Sequence, residues 1–323
     1  MELSFNIIAL LLATLLILVL DLIAAGVAVA FGATFKSVFI KGLWFMLLPW
    51  LAWCYGAYVE RNCSRIKRVA IQSERLPEAF DGYRIVHISD LHLNSYAGRE
   101  KALQRVVDKI NSLEADMVAI TGDLVSHGYW EMDGFEEMLA SIKAKDGVYS
   151  VLGNHDYSEY YHWPSQQQRM AAIDTLKQRQ RAMGWQLLLD ENRKIYRGEE
   201  YISVVGVENI SSDKHFRSYG NLQQALQGTL DEYKVLLSHD PTHWRGEVLH
   251  SSDVDLMLAG HTHAMQLSLF GWSPSSLAYD EYRGLYEQDG RMLYVNIGLG
   301  ETLFRARIGA VPEITLLELK VKR

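Results

Sequence analysis

Five apolar runs, each closed by a short polar block, restrict the chain between residues 83 and 263 to a layered α/β architecture. The runs are residues 83–88, 117–120, 148–152, 234–237 and 254–258. They are short, rich in aliphatic residues and ended by Gly, Asp or Ser, as buried strands are. The blocks read Asp90-Leu91-His92, Gly122-Asp123, Gly153-Asn154-His155-Asp156, Ser238-His239 and Gly260-His261-Thr262-His263. Ligand sites in open α/β layers gather beyond the carboxyl ends of strands, so five such ends can converge on one point. Gly122, Gly153 and Gly260 are expected to permit tight turns there. Between the blocks, residues 99–113 and 135–142 have helical spacing. Residues 165–183 read as a solvated helix packing through Met170, Ile173 and Leu176. Residues 292–321 alternate as strands do and extend a second sheet. The expected fold class is α/β, two packed mixed β-sheets flanked by helices.

The blocks supply carboxylate, amide and imidazole groups. That donor set suits Mn, Fe or Zn better than Ca. Two such ions side by side imply phosphoester hydrolysis, because a metal pair can share a water and clamp phosphoryl oxygens. A carboxylate such as Asp123 can bridge them through its two oxygens. Taken singly, each block is a commonplace turn or cap; the signal is the five in order. His155 is suited to stabilise or protonate a leaving group, although a purely positioning role would look the same. The chain carries neither a G-x-S-x-G nor a P-loop lysine motif.

This ordered set resembles the calcineurin-like metallophosphoesterase family over roughly residues 80–320. The resemblance implies a two-metal sandwich enzyme. One metal would be held by Asp90, His92 and His263, the other by Asn154, His239 and His261, with Asp123 bridging and His155 contacting phosphate and leaving group. Bacterial relatives often continue the last block as Gly-Gly-Gln, whereas this chain has Ala264-Met265-Gln266. Asp156 either orients a ligand or caps the next helix. His127 and His215 are candidate substrate contacts. His87 lies inside a strand and is expected in the core, whereas His127, His162, His215, His243 and His250 are expected at the surface. The cluster Tyr157, Tyr160, Tyr161, His162 and Trp163 is either a substrate wall or a loop plug. The resemblance extends to membrane-associated bacterial phosphodiesterases, some of which act on UDP-2,3-diacylglucosamine, so an amphiphilic phosphodiester or pyrophosphate is the expected substrate. Soluble nucleotides or phospholipids are the alternative. An inactive membrane scaffold is the reading from another class.

The first 60 residues carry a second signal. Residues 3–20, 22–35 and 42–59 hold no charged side chain. About 20 apolar residues span a bilayer as helix, so two transmembrane helices are expected, about residues 5–30 and 38–58. Trp44, Trp50, Trp53, Tyr55 and Tyr58 suit an interfacial belt. A cleaved signal peptide is disfavoured, since no basic segment precedes the long apolar run. Asp21 is costly in lipid and should face the partner helix or an interface. Arg61, Arg65, Lys67 and Arg68 follow the second span, which places the catalytic domain on the cytoplasmic side of a bacterial inner membrane. The expected division is an anchor at 1–60, a basic linker at 61–79 and a catalytic domain at 80–323. Residues 69–323 hold 26 Lys plus Arg against 36 Asp plus Glu, an acidic balance that argues against nucleic acid as a partner. Cys54 and Cys63 are the only cysteines. Both lie far from the blocks, and no disulfide framework is indicated.

Overall fold

The computed structural model describes residues 2–323. Its strands are, in chain order, β1 (Arg65–Ser73), β2 (Arg84–Ile88), β3 (Met117–Thr121), β4 (Val148–Val151), β5 (Gln186–Leu187), β6 (Glu191–Arg197), β7 (Glu200–Gly206), β8 (Lys234–Leu237), β9 (Leu256–Ala259), β10 (Gly284–Gln288), β11 (Arg291–Val295) and β12 (Glu313–Val321). They form two six-stranded sheets, ordered β1-β12-β2-β3-β4-β5 and β10-β11-β9-β8-β7-β6. Strands β2 to β5 run parallel, as do β7, β8, β9 and β11; β12 against β2, β6 against β7 and β10 against β11 are antiparallel. Both sheets are therefore mixed, as expected.

The central strands are buried on both faces, which is why they read as continuous apolar runs. Side chains alternate between faces along a strand. Ile85, Met117, Tyr149, Val204, Val235, Leu256 and Leu317 fill the layer between the sheets. Val86, Ile88, Val118 and Ile120 point outward into a second core. That outer core is covered by the helix Glu100–Ser112, which buries Leu103, Val106, Val107 and Ile110 along one face. A further helix, Gln166–Ala182, is capped by the Ser165 hydroxyl accepting from the Gln168 N–H at 3.2 Å.

At the N-terminus stand α1 (Glu2–Ala30), α2 (Phe35–Gly42) and α3 (Leu48–Tyr58). A tight turn of helix over Leu43–Leu47 joins α2 to α3 just before Pro49, which lacks the N–H a continuous helix needs. Two stretches, Ser4–Ala30 and Phe35–Asn62, are long and apolar enough to cross a membrane. They pack as a hairpin that exposes Leu11, Leu12, Leu15, Leu16, Leu20 and Ile23. The Asp21 carboxylate lies directly against Gly42, where a Cβ would sit 1.6 Å from its Oδ1, so it faces the partner helix. Trp50 Nε1 donates to the Thr14 hydroxyl at 3.0 Å.

The stretch 61–79 is not a free linker. Arg65 to Ser73 form β1, paired in parallel with β12 along its whole length. Its charged residues mask it in sequence, but an edge strand carries charge outward without penalty. The N-terminal helices are also fastened to the sandwich. Asn6 Nδ2 donates to the Leu303 carbonyl at 3.0 Å, Trp53 Nε1 and the Arg305 N–H both donate to Asn6 Oδ1, and Gly56 lies against the Arg307 carbonyl. Arg61 pairs with Glu301 at 2.9 Å.

Candidate metal centre

The blocks follow β2, β3, β4, β8 and β9, whose carboxyl ends meet where the two sheets face each other. The local backbone there is unusual. Asp90, His92, Asp123, His261 and His263 have φ of 50°, 43°, 54°, 72° and 49°, in the left-handed region that side chains make costly. Cross-links hold them. The Asp90 and His92 N–H groups donate to the carbonyls of Gly122 and Asp123, each at 3.0 Å. The His261 N–H donates to the Asp90 carboxylate at 3.0 Å. The Asp156 carboxylate accepts from the N–H groups of Asp123 (2.8 Å), Gly153 (2.9 Å) and Val125 (3.2 Å). Asp156 therefore holds the Asp123 turn and, through the Gly153 N–H, also caps the short helical turn that it sits in. Of the three glycines, only Gly122 has positive φ, +82°. Gly153 and Gly260 serve close approach instead: a Cβ on Gly153 would lie 2.2 Å from Asp123 Oδ1, and one on Gly260 would meet Ser89 and Asp90.

Seven side chains face one another across this point and sort into two groups. Asp90 Oδ1 lies 3.3 Å from His263 Nε2, which is 3.1 Å from His92 Nε2. In the second group, Asn154 Oδ1 is 3.1 Å from His239 Nε2 and 2.9 Å from His261 Nδ1. Asp123 Oδ2 stands between them, 3.6 Å from His92 Nε2 and 3.2 Å from His239 Nε2. The outer ring nitrogens are engaged elsewhere, which fixes ring orientation. His239 Nδ1 meets the Thr121 carbonyl at 2.8 Å, His92 Nδ1 the Ser126 hydroxyl at 3.0 Å, and His261 Nε2 the Tyr279 hydroxyl at 3.1 Å.

This donor set fits divalent cations. Among the described residues, Asp90 and Asp123 are buried with histidines, backbone N–H groups and the Ser89 hydroxyl, not lysine or arginine, as their partners. Buried carboxylates demand a compensating positive charge. Burial pushes the Asp123 carboxyl up, but the rings of His239 and His155 outweigh it and hold it below the usual carboxylate range. Burial lowers His239, yet Asp123 and Asp90 raise it to about 10. Burial and the neighbouring Asp123 charge push Asp156 up to about 7. Three sets of His and Asp donors here lie close enough to hold an ion: Asp90, His92 and His263; His92, Asp123 and His155; and Asp123, His239 and His261.

The calcineurin-like phosphoesterase model matches residues 83–265, which include every block. The chain belongs to that family. It is 31% identical over 276 residues to a Danio rerio transmembrane protein with metallophosphoesterase domain, covering 82% of this chain and 60% of that protein. The chain thus spans about three fifths of that relative's length. It is 29% identical over 280 residues to the uncharacterized metallophosphoesterase YkuE of Bacillus subtilis, covering 82% and 89%. It is 29% identical over 326 residues to the UDP-2,3-diacylglucosamine pyrophosphatase LpxG of Chlamydia trachomatis, covering 83% and 93%. The family is one of metal-dependent phosphoester hydrolases, and the donor sets described above fit that chemistry.

His155 sits beside the centre, within reach of His92 and Asp123. Its N–H donates to Asp123 Oδ1 at 2.9 Å, and its Nδ1 meets the Ser126 carbonyl at 2.9 Å. That bond fixes the proton on Nδ1 and leaves Nε2 for the cleft. Tyr160 stacks on the ring at 4.1 Å and donates no bond to it; instead the Tyr160 hydroxyl accepts from Asn154 Nδ2 at 2.8 Å. Burial lowers the His155 pKa, only partly offset by Asp123. His127 lines the cleft beside Glu131. His215 is exposed and paired with Asp213 at 2.7 Å, outside the cleft lining. His87 is a core residue, as expected, but His243 is not at the surface. It is fully buried between the Ser238 hydroxyl (2.9 Å) and Glu247 (3.1 Å), because the helical turn it opens drives Trp244 and Val248 into the core.

The cleft has a volume of about 1360 Å³ and runs from Asp123, Asn154, His155, His261 and His263 to Asn6, Trp53, Ala57 and Tyr58 of the N-terminal helices and to Arg61 beyond them. Tyr160 and Tyr161 line it, so part of the aromatic cluster is a wall. Several neighbours were not anticipated. Phe216 packs edge-on against His261 at 4.6 Å, and Arg307, fully buried, reaches His263 Nδ1 at 3.1 Å. Met265 and Leu303 add apolar surface between the centre and the anchor.

Proposed function

We propose that this metallophosphoesterase is a membrane-anchored two-metal hydrolase of an amphiphilic phosphodiester or pyrophosphate, with UDP-2,3-diacylglucosamine as the leading candidate. The observation carrying this reading is the continuous cleft from the Asp–His centre to the anchor helices. A soluble nucleotide has no need of a path that ends on Trp53 and Tyr58. The relation to LpxG, named for that lipid nucleotide, supports the same choice.

In this reading residues 1–60 tether the sandwich, and Arg61, Arg65, Lys67 and Arg68 favour the cytoplasmic face of a bacterial inner membrane. Asp90, His92 and His263 would hold one metal, Asn154, His239 and His261 the other, with Asp123 facing both sets. When bound, the metals polarise the phosphoryl oxygens and lower the pKa of water toward neutrality. His155 presents Nε2 to the leaving oxygen. As the bond from water oxygen to phosphorus forms and the phosphorus–oxygen ester bond breaks, Nε2 takes up a proton released by the water and passes it to the departing oxygen. Asp156 acts through Asp123 by fixing its backbone. Tyr160 and Tyr161 exclude water from one side of the cleft, and Met265 and Leu303 contact acyl chains on the other.

The test is incubation of the purified full chain with Mn²⁺ and UDP-2,3-diacylglucosamine. UMP release is expected. Hydrolysis of bis-p-nitrophenyl phosphate without UMP release would remove this substrate and leave the chemistry. Less than one transition metal per chain, with neither substrate cleaved, would favour a catalytically silent scaffold.

A further inference from the structure

Beyond residue 265, where the family match ends, the chain builds a small rigid projection. Leu267 bridges Ile308, and the Ser268 N–H donates to the Ile308 carbonyl at 2.7 Å. Leu269 and Trp272 then exchange backbone hydrogen bonds of 2.8 and 2.9 Å around a two-residue turn. At its tip Phe270 and Gly271 have φ of 50° and 90°, the doubly positive pattern of a tight hairpin turn. Arg283 closes the base by donating to Ser268 Oγ at 3.0 Å and to the Gly271 carbonyl. This is not a slack loop.

Its side chains suit water poorly. Phe270 is fully exposed, and Leu269 and Trp272 are about half exposed, at 49% and 50%. Contiguous exposed apolar groups of this size mark contact with a partner or a membrane. The position identifies which. The strip Ala306–Gly309 that carries the projection is the same strip that packs on Gly56 of α3, beside the Asn6–Trp53 seam. Trp53 and Tyr58 lie at that end of the hairpin, and Trp and Tyr are the residues that gather at membrane–water interfaces. The projection therefore stands beside the end of the helical hairpin that faces the sandwich, and is continuous with that contact.

We infer that the Leu269–Trp272 turn is a third membrane contact, dipping Phe270 and its two neighbours into the leaflet nearest the catalytic domain. It seats the mouth of the cleft on the lipid surface, so that an amphiphile passes sideways from the leaflet to the metal centre across Met265 and Leu303. This rests on the two N-terminal helices being membrane-spanning.

The experiment uses the full chain with Cys54→Ser and Cys63→Ser, reconstituted in phospholipid nanodiscs. Single cysteines are introduced by Phe270→Cys, by Leu16→Cys on the exposed face of α1, and by Leu230→Cys on an exposed loop, and each is nitroxide-labelled. Collision with oxygen and with a water-soluble nickel chelate is measured for each label. Labels at 16 and 270 are expected to favour oxygen, and the label at 230 to favour nickel. If 16 reports lipid and 270 reports water, the third contact is wrong while the anchor stands. A label at 270 shielded from both reagents means that protein covers the turn, which also overturns it. If 16 itself reports water, the anchor reading falls and takes this one with it. As a second readout, Phe270→Asp is expected to lower turnover of lipid substrate in vesicles about tenfold, the effect of losing one buried aromatic, and to leave bis-p-nitrophenyl phosphate hydrolysis unchanged. Equal loss on both substrates would contradict the inference.

Discussion

Met265 offers a test in which sign, not size, decides. Ala264, Met265 and Gln266 follow His263 with φ of 49°, 45° and 55°, where bacterial relatives often place Gly-Gly-Gln. A left-handed conformation costs a residue with a Cβ roughly 1–2 kcal/mol, and glycine adopts it freely. Replacing Met265 by Ala removes the side chain and keeps that strain. Replacing it by Gly removes both, but adds roughly 0.5–1 kcal/mol of chain entropy in the unfolded state. The side chain is 47% exposed, and its loss is common to both variants, so it cancels. Gly should therefore exceed Ala at this position by about 0.5–1 kcal/mol, the reverse of the order at a position with ordinary backbone. Thermal unfolding of the detergent-solubilised chain measures it, as a midpoint about 1–4 °C higher for Met265→Gly than for Met265→Ala. Both variants should also lose turnover on lipid substrate while hydrolysing bis-p-nitrophenyl phosphate normally, since Met265 lines the cleft without facing the seven donors. If Ala proves the more stable, the left-handed turn is not strained as described. If lipid turnover is intact in both, the side chain is not what the strain is retained for.

Three further expectations concern single residues. Asp123→Ala removes the carboxylate that faces both donor groups, so metal content by mass spectrometry and phosphoester turnover should fall together; two metals retained per chain would contradict the shared role. His155→Ala should keep its metals and slow turnover by about 10²–10⁴-fold, the range of general acid–base groups, and metal loss in this variant would argue for a ligand instead. Burial holds His87 at about 3, against 6.5 for a free imidazole. The unfolded chain then binds a proton below pH 6.5 that the folded chain refuses, so stability falls as pH drops from 6.5 toward 3, by up to about 1.4 kcal/mol per unit from this residue. His87→Gln should shrink the gap in unfolding midpoint between pH 7.5 and 5.0; an unchanged gap would show that His87 takes up its proton while folded.

The strand-end blocks were legible because each donor lies within a few residues of a buried strand, and parallel strands deliver their carboxyl ends to one edge. What escaped came from elsewhere in the chain. β11 runs parallel to β9 and delivers a sixth strand end, Asn296 to Gly300, where a Cβ on Gly298 would lie 2.7 Å from that of Asp90. Its contribution is space rather than a metal donor, so a search for ligands passes over it. Phe216 and Tyr279 reach His261 from loops with no periodic pattern. Arg307 reads as a surface charge; its burial follows from four hydrogen bonds to the carbonyls of Ile297, Gly300 and Ala310, which only the folded loop supplies. β1 was hidden by Arg65, Lys67 and Arg68, because an edge strand need not look apolar.

The expected separation of anchor, linker and enzyme gives way to a single coupled piece. One loop, residues 296–312, touches every part. Gly298 abuts Asp90, Glu301 pairs with Arg61 at the exit of the second apolar stretch and with Arg99 at 3.6 Å, the Leu303 carbonyl and Arg305 N–H hold Asn6 of α1, and Arg307 meets His263. Arg61 and Arg99 also both donate to the Ser95 carbonyl, three residues beyond His92. A shift of the hairpin relative to the sandwich must therefore break buried charge pairs or move the turns that carry His92 and His263. Breaking a buried pair costs several kcal/mol, so the hairpin and the metal centre are held in fixed register. A flexible tether would only raise the local concentration of enzyme at a surface. A rigid one also fixes the distance and angle between the helical hairpin and the cleft, which is what the proposed amphiphilic substrate, with its phosphorus outside the membrane and its chains inside, would require.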